Sequence, residues 1–302
     1  MRGQGAEDRG EGQGGVTGRG GGKLEGGHGI KRIVVALDPS THSGAALEAA
    51  ARMASRLGAE LHGVFVEDVN VRRLADLSFV QEVGFFTARC RRVETHELSR
   101  QLEVQAGRVR RRFQIRTESL ATRCTFRVVR GRVAPEVLKA AGQAELVILG
   151  KGAWSPFQTG HLAPAVREVL NETRASTLVL RADTRIEAPM RVVYDGTVLG
   201  DRAVAIAAEL TKDEDGNLMV FLLADGPDEA SRLEQKVREQ LAGTEIVLSF
   251  QELTEGSASR LAYIVAHEET GTLILPVGTG ALEDEAVLDF LDMTRVPVLL
   301  IR

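Results

Sequence analysis

Two loops of the sequence carry residue types that can bind an anionic or nucleotide-like ligand. The first loop, residues 38–44, reads DPSTHSG and follows a run of apolar residues. Its Asp38 can accept hydrogen bonds from an adenine amine or a ribose hydroxyl. The same aspartate can instead cap the following turn, with Ser43 capping the next helix. The sequence leaves both interpretations open.

The second loop, residues 150–161, reads GKGAWSPFQTGH and precedes a predicted helix. Gly150, Gly152 and Gly160 would let backbone N–H groups approach a phosphate, Lys151 would add a compensating charge, and the helix N-terminus favours an anion. A turn that needs glycine for its dihedral angles produces the same pattern. Neither the GxGxxG nor the GxxxxGK[ST] phosphate motif occurs in this loop.

The sequence shows no motif for nucleophilic catalysis or for metal binding. No GxSxG nucleophile motif occurs, and the six histidines show no metal-binding spacing. We expect His42 to be a solvated loop residue and Glu67-Asp68 to lie in a turn. The two cysteines, Cys90 and Cys124, cannot form a disulfide framework or a zinc cluster, and we expect them to be structural or surface thiols. No metal and no catalytic residue is predicted.

The elements that would position the two loops alternate between strand and helix. Strands are predicted at residues 33–37, 61–66, 126–129, 146–149 and 177–180, and helices at 45–57, 133–141 and 162–170. Such alternation is typical of a parallel sheet covered by helices on both faces. Ligands of such sheets bind outside the carboxyl ends of the strands, which is where both loops fall.

The pattern then restarts, since RVVYD at 191–195 repeats VVALD at 34–38. Further strands are predicted at 218–223, 246–250, 272–275 and 296–301. We therefore predict two α/β domains, 30–182 and 190–302, each doubly wound around a five-stranded, mostly parallel sheet. The strands 177–180 and 296–301 would otherwise be exposed apolar edges, so the two domains should pack as a pseudo-two-fold pair.

The charge of −4 is unevenly distributed along the chain. Residues 1–182 carry 28 basic and 19 acidic side chains, and residues 183–302 carry 10 basic and 23 acidic ones. Residues 88–132, in and beside an insertion of the first copy, hold 13 arginines and four glutamates. This segment predicts either an anion- or nucleic-acid-binding surface or a solvated helix face with Val93, Leu102, Val109 and Phe113 turned inward. The solvated face is favoured, because the helix lacks interleaved aromatic residues and any nucleic-acid motif.

Residues 1–29 form a glycine-rich segment that holds 13 of the 32 glycines. We expect this segment to be disordered and not a secretory signal. No run of about 18 apolar residues predicts a membrane span. With few cysteines, the expected location is the cytoplasm.

The order of these motifs resembles the universal stress protein family. The resemblance rests on VVALD at 34–38, LHGVFVED at 61–68, LVILG at 146–150 and, in the second copy, VVYD at 192–195 and VPVLLIR at 296–302. It covers nearly all of residues 31–302. The resemblance implies an adenine-nucleotide-binding-like fold with domains paired through their last strands. It also implies that a nucleotide, if bound, would contact Asp38, Val66, Gly150, Lys151, Gly152 and Gly160.

The chain departs from the nucleotide-binding branch of that family, whose loop has the form G-x2-G-x9-G-[ST]. Here the spacing is shorter and His161 follows the last glycine, while the second copy continues into Glu283, Asp284 and Glu285. We therefore expect a stress-response binding or regulatory protein that is not an enzyme and has no tightly bound cofactor. The alternative is an ATP-binding switch in the first domain, with slow or no hydrolysis. Expected partners are an unknown protein or a second copy, with no membrane and no nucleic acid.

Overall fold

The computed structural model describes residues 29–70, 81–83, 90–92, 95–154, 161–212, 214–253, 270–278 and 284–302. Residues 1–28 of the predicted tail 1–29, the loop residues 155–160 with Gly160, and Val93 lie outside these residues. The side chains of 81–83, 90–92 (with Cys90), 95–98 and 284–285 are likewise outside the description.

The first half of the chain alternates strands and helices as its apolar pattern predicts. Ser40 caps the first helix by accepting from Ser43 N, and Gly58 ends that helix in the left-handed conformation that suits glycine. The elements are β1 (Arg32–Leu37), α1 (Thr41–Leu57), β2 (Glu60–Asp68), β3 (Gln81–Val83), β4 (Cys90–Arg92), α2 (Thr95–Thr117), β5 (Cys124–Gly131), α3 (Val133–Ala141), β6 (Leu146–Gly150), α4 (Pro164–Glu172) and β7 (Ser176–Leu180).

The insertion of the first half consists of the short antiparallel pair β3–β4 and the long helix α2. Val109 and Phe113 of α2 are buried, as the predicted apolar stripe requires, and Leu102 is half-buried. The basic side chains of α2 are exposed on its outer face.

The second half repeats the strand–helix alternation without the insertion. Thr197 caps its first helix by accepting from Gly200 N, in the role that Ser40 has in the first half. The elements are β8 (Met190–Tyr194), α5 (Val198–Thr211), β9 (Asn217–Leu223), α6 (Pro227–Gln240), β10 (Val247–Leu253), β11 (Thr272–Pro276), α7 (Asp284–Met293) and β12 (Val298–Ile301).

All strands except β3 and β4 join one ten-stranded sheet in the order β10-β9-β8-β11-β12-β7-β6-β1-β2-β5. Each half contributes five parallel strands in a doubly wound order. The two halves meet where β7 and β12 pair antiparallel, with Leu178 opposite Leu299. The predicted fold class of two doubly wound halves in a pseudo-two-fold arrangement is therefore confirmed.

Two apolar layers cover the faces of this sheet. Helices α1, α2, α5 and α6 pack on one face, and α3, α4 and α7 pack on the other. Every residue of β6, β7, β8, β11 and β12 is buried, which explains their continuous apolar runs. Among the described residues, no helix combines the length and apolarity needed to cross a bilayer.

Two details of the sequence prediction are wrong. Glu67 and Asp68 belong to β2 rather than to a turn, and the buried Glu67 pairs with Arg130 of the edge strand β5 at 2.6 Å. His42 lies in the first turn of α1 and is half-buried, because the cap is Ser40 and the helix starts four residues earlier than its apolar periodicity suggests.

Candidate functional site

The candidate site lies at the carboxyl ends of β1 and β6. These strands are neighbours at the point where the order of the first half reverses, since β2 and β5 lie on one side and β7 on the other. Topology therefore brings Asp38, which follows β1, next to the loop that begins at Gly150.

Both carboxylate oxygens of Asp38 are engaged within the protein. Oδ1 accepts from the backbone N (3.1 Å) and the hydroxyl (2.5 Å) of Ser40. Oδ2 accepts from Trp154 N at 2.6 Å, across the switch point. The side chain is only 4% exposed. Asp38 therefore caps a turn and ties the two loops together, and it keeps little capacity to bind an adenine amine.

The two described glycines of the second loop make room for His42. A Cβ on Gly150 would lie 2.7 Å from the backbone carbonyl carbon of His42, and a Cβ on Gly152 would lie 2.7 Å from its Nε2. Burial of the imidazole lowers the pKa of His42 below its ordinary value of 6.5, with Asp38 opposing this effect. The space that a phosphate-binding loop would leave open beside these glycines is occupied by an imidazole.

Trp154 adopts a backbone conformation that residues with a side chain rarely take, with φ at 59°. Its backbone N–H donates to Asp38, and its partly buried indole packs on the apolar layer that includes α3 and α4. The hydrogen bond to Asp38 holds this conformation in place. The large side chain of Trp154 therefore closes the loop over the sheet.

Lys151 is turned away from the Asp38 loop and reaches the second half. Its Nζ donates to the carbonyl oxygens of Asp292 (2.9 Å) and Thr294 (3.2 Å), which end helix α7. The side chain is 3% exposed, and burial lowers the pKa of Lys151 from 10.5 to about 8. A cation at a helix C-terminus satisfies otherwise free carbonyls, so Lys151 acts as a cap between the halves.

The N-terminal end of α4 already holds a carboxylate. Asp292 of α7 accepts from Leu162 N through Oδ1 at 2.5 Å, and Arg167 Nη2 donates to its Oδ2. An N–H group just before a helix is where a phosphate would be expected to bind. Here an aspartate from the other half of the chain takes that position.

The second half repeats the aspartate turn. Asp195 Oδ1 accepts from the backbone N (3.1 Å) and the hydroxyl (2.7 Å) of Thr197, as Asp38 does from Ser40. Its Oδ2 is buried and has no hydrogen-bond partner among the described residues. Residues 279–283, which follow β11 at this edge, lie outside the described part of the chain.

The remaining predicted residue, Val66, lies near the carboxyl end of β2, paired with Val129 of β5, and is 3% exposed. The sequence prediction missed Asp292 and Arg167, which come close to the loop only through tertiary contact. Arg181 directly follows β7 and lies near enough to His42 to oppose its protonation, so the strand-end rule could have found it. Within the described ranges, no group of three or more metal-ligating side chains occurs.

The fold and this strand-end site define a doubly wound α/β protein of the adenine-nucleotide-binding-like class. The sequence pattern of the Universal stress protein family matches residues 29–181. The chain belongs to the universal stress protein family.

Solved structures share the fold of this chain. A universal stress protein from Archaeoglobus fulgidus DSM 4304 covers 90% of this chain and 98% of its own, with 16% identity and a TM-score of 0.63. A protein of unknown function from Pseudomonas aeruginosa PAO1 covers 91% and 93%, with 14% identity and a TM-score of 0.56. No curated protein matches the sequence.

Proposed function

We propose that this universal stress protein is a binding or regulatory module that does not hold ATP tightly. The proposal rests on one observation, that polar groups of the first-half site are already hydrogen-bonded to other groups of the protein. Asp38 bonds Ser40 and Trp154, and the N–H group of Leu162 bonds Asp292. The groups that would bind a nucleotide are therefore committed to protein contacts.

The described residues of this site do not fit ATP in their present arrangement. A triphosphate would have to displace the Asp292 carboxylate and would meet Lys151 only after that side chain had left α7. Micromolar binding requires about 8 kcal/mol. A helix N-terminus contributes about 0.3–1 kcal/mol toward an anion, which is far below that requirement. We therefore propose that the protein acts by contacting a partner protein and not by hydrolysing ATP.

The experiment is a titration of the full chain with ATP and magnesium. Trp154 is the only tryptophan, so its fluorescence reports on the loop directly. We expect no saturable change in fluorescence and no saturable heat by calorimetry at micromolar ATP. Saturable micromolar binding would contradict the proposal.

The second candidate function is an ATP-dependent switch in the first half. It is favoured by two buried polar atoms at the site, His42 Nδ1 and Trp154 Nε1, which have no hydrogen-bond partner in the described part of the chain. Such atoms are stabilised by a partner that a ligand can supply.

The variant Asp292→Ala separates the two functions, with Asp289→Ala on the exposed side of α7 as its matched control. A switch requires that phosphate replace the Asp292 carboxylate. ATP binding that is measurable in the wild type, stronger in Asp292→Ala and unchanged in Asp289→Ala would establish the switch. ATP binding in none of the three proteins supports the regulatory module.

A further inference from the structure

A groove of about 390 Å³ lies at the opposite end of the strands from Asp38. It runs between α3 and the strands β2 and β5, near the amino ends of the strands. Val34 and Val64 form part of its apolar floor. The volume falls in the range of sites that hold small molecules.

The groove exists because β5 is the edge strand and, within the described part of the chain, no helix packs beyond α3 on this face. Side chains of β5 alternate, so Phe126 and Val128 pack toward α2 while Thr125, Arg127 and Val129 face the groove. The opposite wall is the side of α3 that carries Glu136, Lys139 and Ala140, spaced as one helix face, with Gln143 just beyond the end of the helix.

Two cations at this groove, Arg127 and Lys139, are exposed and form no hydrogen bond or ion pair through their side chains within the described residues. A third, Arg123, is exposed beside Glu60 and helps to lower the pKa of that carboxyl. A fourth, Arg32, donates to the carbonyl of Gln143 at 2.8 Å and lies 3.6 Å from Glu60. The lining therefore carries four cations against two carboxylates, those of Glu60 and Glu136.

Part of the negative charge in the groove is already engaged in contacts within the protein. Glu60 lies 3.3 Å from His62 Nε2, and His62 Nδ1 lies 2.6 Å from the hydroxyl of Thr125. These contacts hold Glu60 and His62 along β2 and leave Arg127 of β5 at the mouth of the groove. Guanidinium groups bind phosphate oxygens through paired, charge-assisted hydrogen bonds.

We propose that this groove binds a small phosphate ester of the size of a nucleoside monophosphate. Arg127 and Lys139 would bind the phosphate, and the rest of the ester would lie along the groove between β5 and α3. The site lies apart from the Asp38 loop, so it is independent of the function proposed above.

The test is calorimetry of the full chain with AMP as the probe and inorganic phosphate as a second titrant. We expect one saturable site for AMP and weaker binding of phosphate, because phosphate lacks the rest of the ester. Arg127→Ala should weaken AMP binding about tenfold through the loss of a charge-assisted hydrogen bond. Arg108→Ala is the matched control, since Arg108 is an exposed arginine of α2 outside the groove.

Two spectroscopic signals show where AMP binds. Binding in the groove should shift the imidazole NMR signals of His62 and leave Trp154 fluorescence unchanged. A change in Trp154 fluorescence without a shift at His62 would place AMP at the strand-end site and overturn the proposal, while supporting the nucleotide switch.

Three further outcomes would also overturn the proposal. One is the absence of saturable AMP binding up to about 1 mM. Another is equal weakening by Arg127→Ala and Arg108→Ala, which indicates general attraction to the basic surface. The third is much tighter binding of a single-stranded oligonucleotide that depends on Arg108, which would make the surface a nucleic-acid site.

Discussion

At the scale of single residues, the candidate site is made of side chains whose partners come from both near and far in the chain. The turn of Asp38 with Ser40 is local, and its type could be predicted because aspartate and serine commonly cap turns. The direction of Lys151 could not be predicted. Its acceptors lie 141 and 143 residues away, and a lysine beside glycines has the same local pattern whether it faces a phosphate or a helix end.

Replacing Lys151 by methionine should remove a pH dependence of stability. The pKa of Lys151 is about 8 in the folded chain and 10.5 in the unfolded chain, so the unfolded chain binds more protons between these values. The free energy of unfolding of the wild type should therefore rise with pH in this window relative to Lys151→Met. Urea unfolding from pH 7.5 to 10 measures this difference. The exposed Lys139→Met is the control, and parallel curves for wild type and Lys151→Met would refute the expectation.

Alanine at the two loop glycines should destabilise the fold to different degrees. At Gly150 the new Cβ meets the backbone of His42, which cannot move freely, whereas at Gly152 it meets the tip of the imidazole. We expect a loss of about 1–3 kcal/mol for each, larger at Gly150. Adding His42→Ala should restore stability to Gly152→Ala but not to Gly150→Ala. Chemical denaturation of the four variants tests this, and rescue of both would show that the close contacts are misassigned.

At the scale of elements, most strands and helices follow from apolar periodicity, and the exceptions have local causes. The bounds of α3, Val133–Ala141, agree with the sequence prediction, because Gly142 follows the apolar face directly. The start of α1 was misplaced, since its first turn, Thr41-His42-Ser43-Gly44, is polar and carries no apolar signal. The packing of α2 on β2 could not be predicted from the sequence, because it depends on a glycine within a strand.

Gly63 of β2 allows α2 to approach the sheet. A Cβ at this position would lie 2.7 Å from the ring of Phe113, which is 3% exposed. Gly63→Ala should therefore lower the free energy of unfolding by about 1–3 kcal/mol. Gly107→Ala within α2 is the matched control, because its Cβ meets nothing within 4 Å and alanine favours a helix by about 0.5–1 kcal/mol. Thermal unfolding compares the two, and equal stability would mean that α2 shifts without cost.

At the scale of the whole molecule, the two halves are held by the antiparallel pairing of β7 and β12 and by side chains that cross between them. The guanidinium of Arg302 donates to the carbonyls of Leu170 and Thr173 at the end of α4, and Arg52 donates to Glu214 and to the carbonyl of Ile186. Asp292 and Lys151 form the corresponding contacts at the strand-end side. The repeat in the sequence predicts the pairing of the last strands, but not these individual contacts.

Residues 30–185 expressed alone should self-associate. All five residues of β7 are buried in the full chain, and removing β12 exposes them as an apolar strand edge. Sedimentation velocity should show dimers or larger species, and adding a fragment of residues 186–302 should convert them to a 1:1 complex. A stable monomer of the first fragment would contradict the role assigned to the β7–β12 contact.

The connector between β7 and β8, only nine residues long, changes the thermodynamics of this pairing. Two separate chains that meet through their last strands lose stability on dilution, because their folding equilibrium depends on concentration. In a single chain the connector maintains a local concentration of about millimolar order. The melting temperature should therefore be independent of protein concentration. The two halves also need not be identical, so each can diverge in charge and shape, one basic and extended by α2, the other acidic and short.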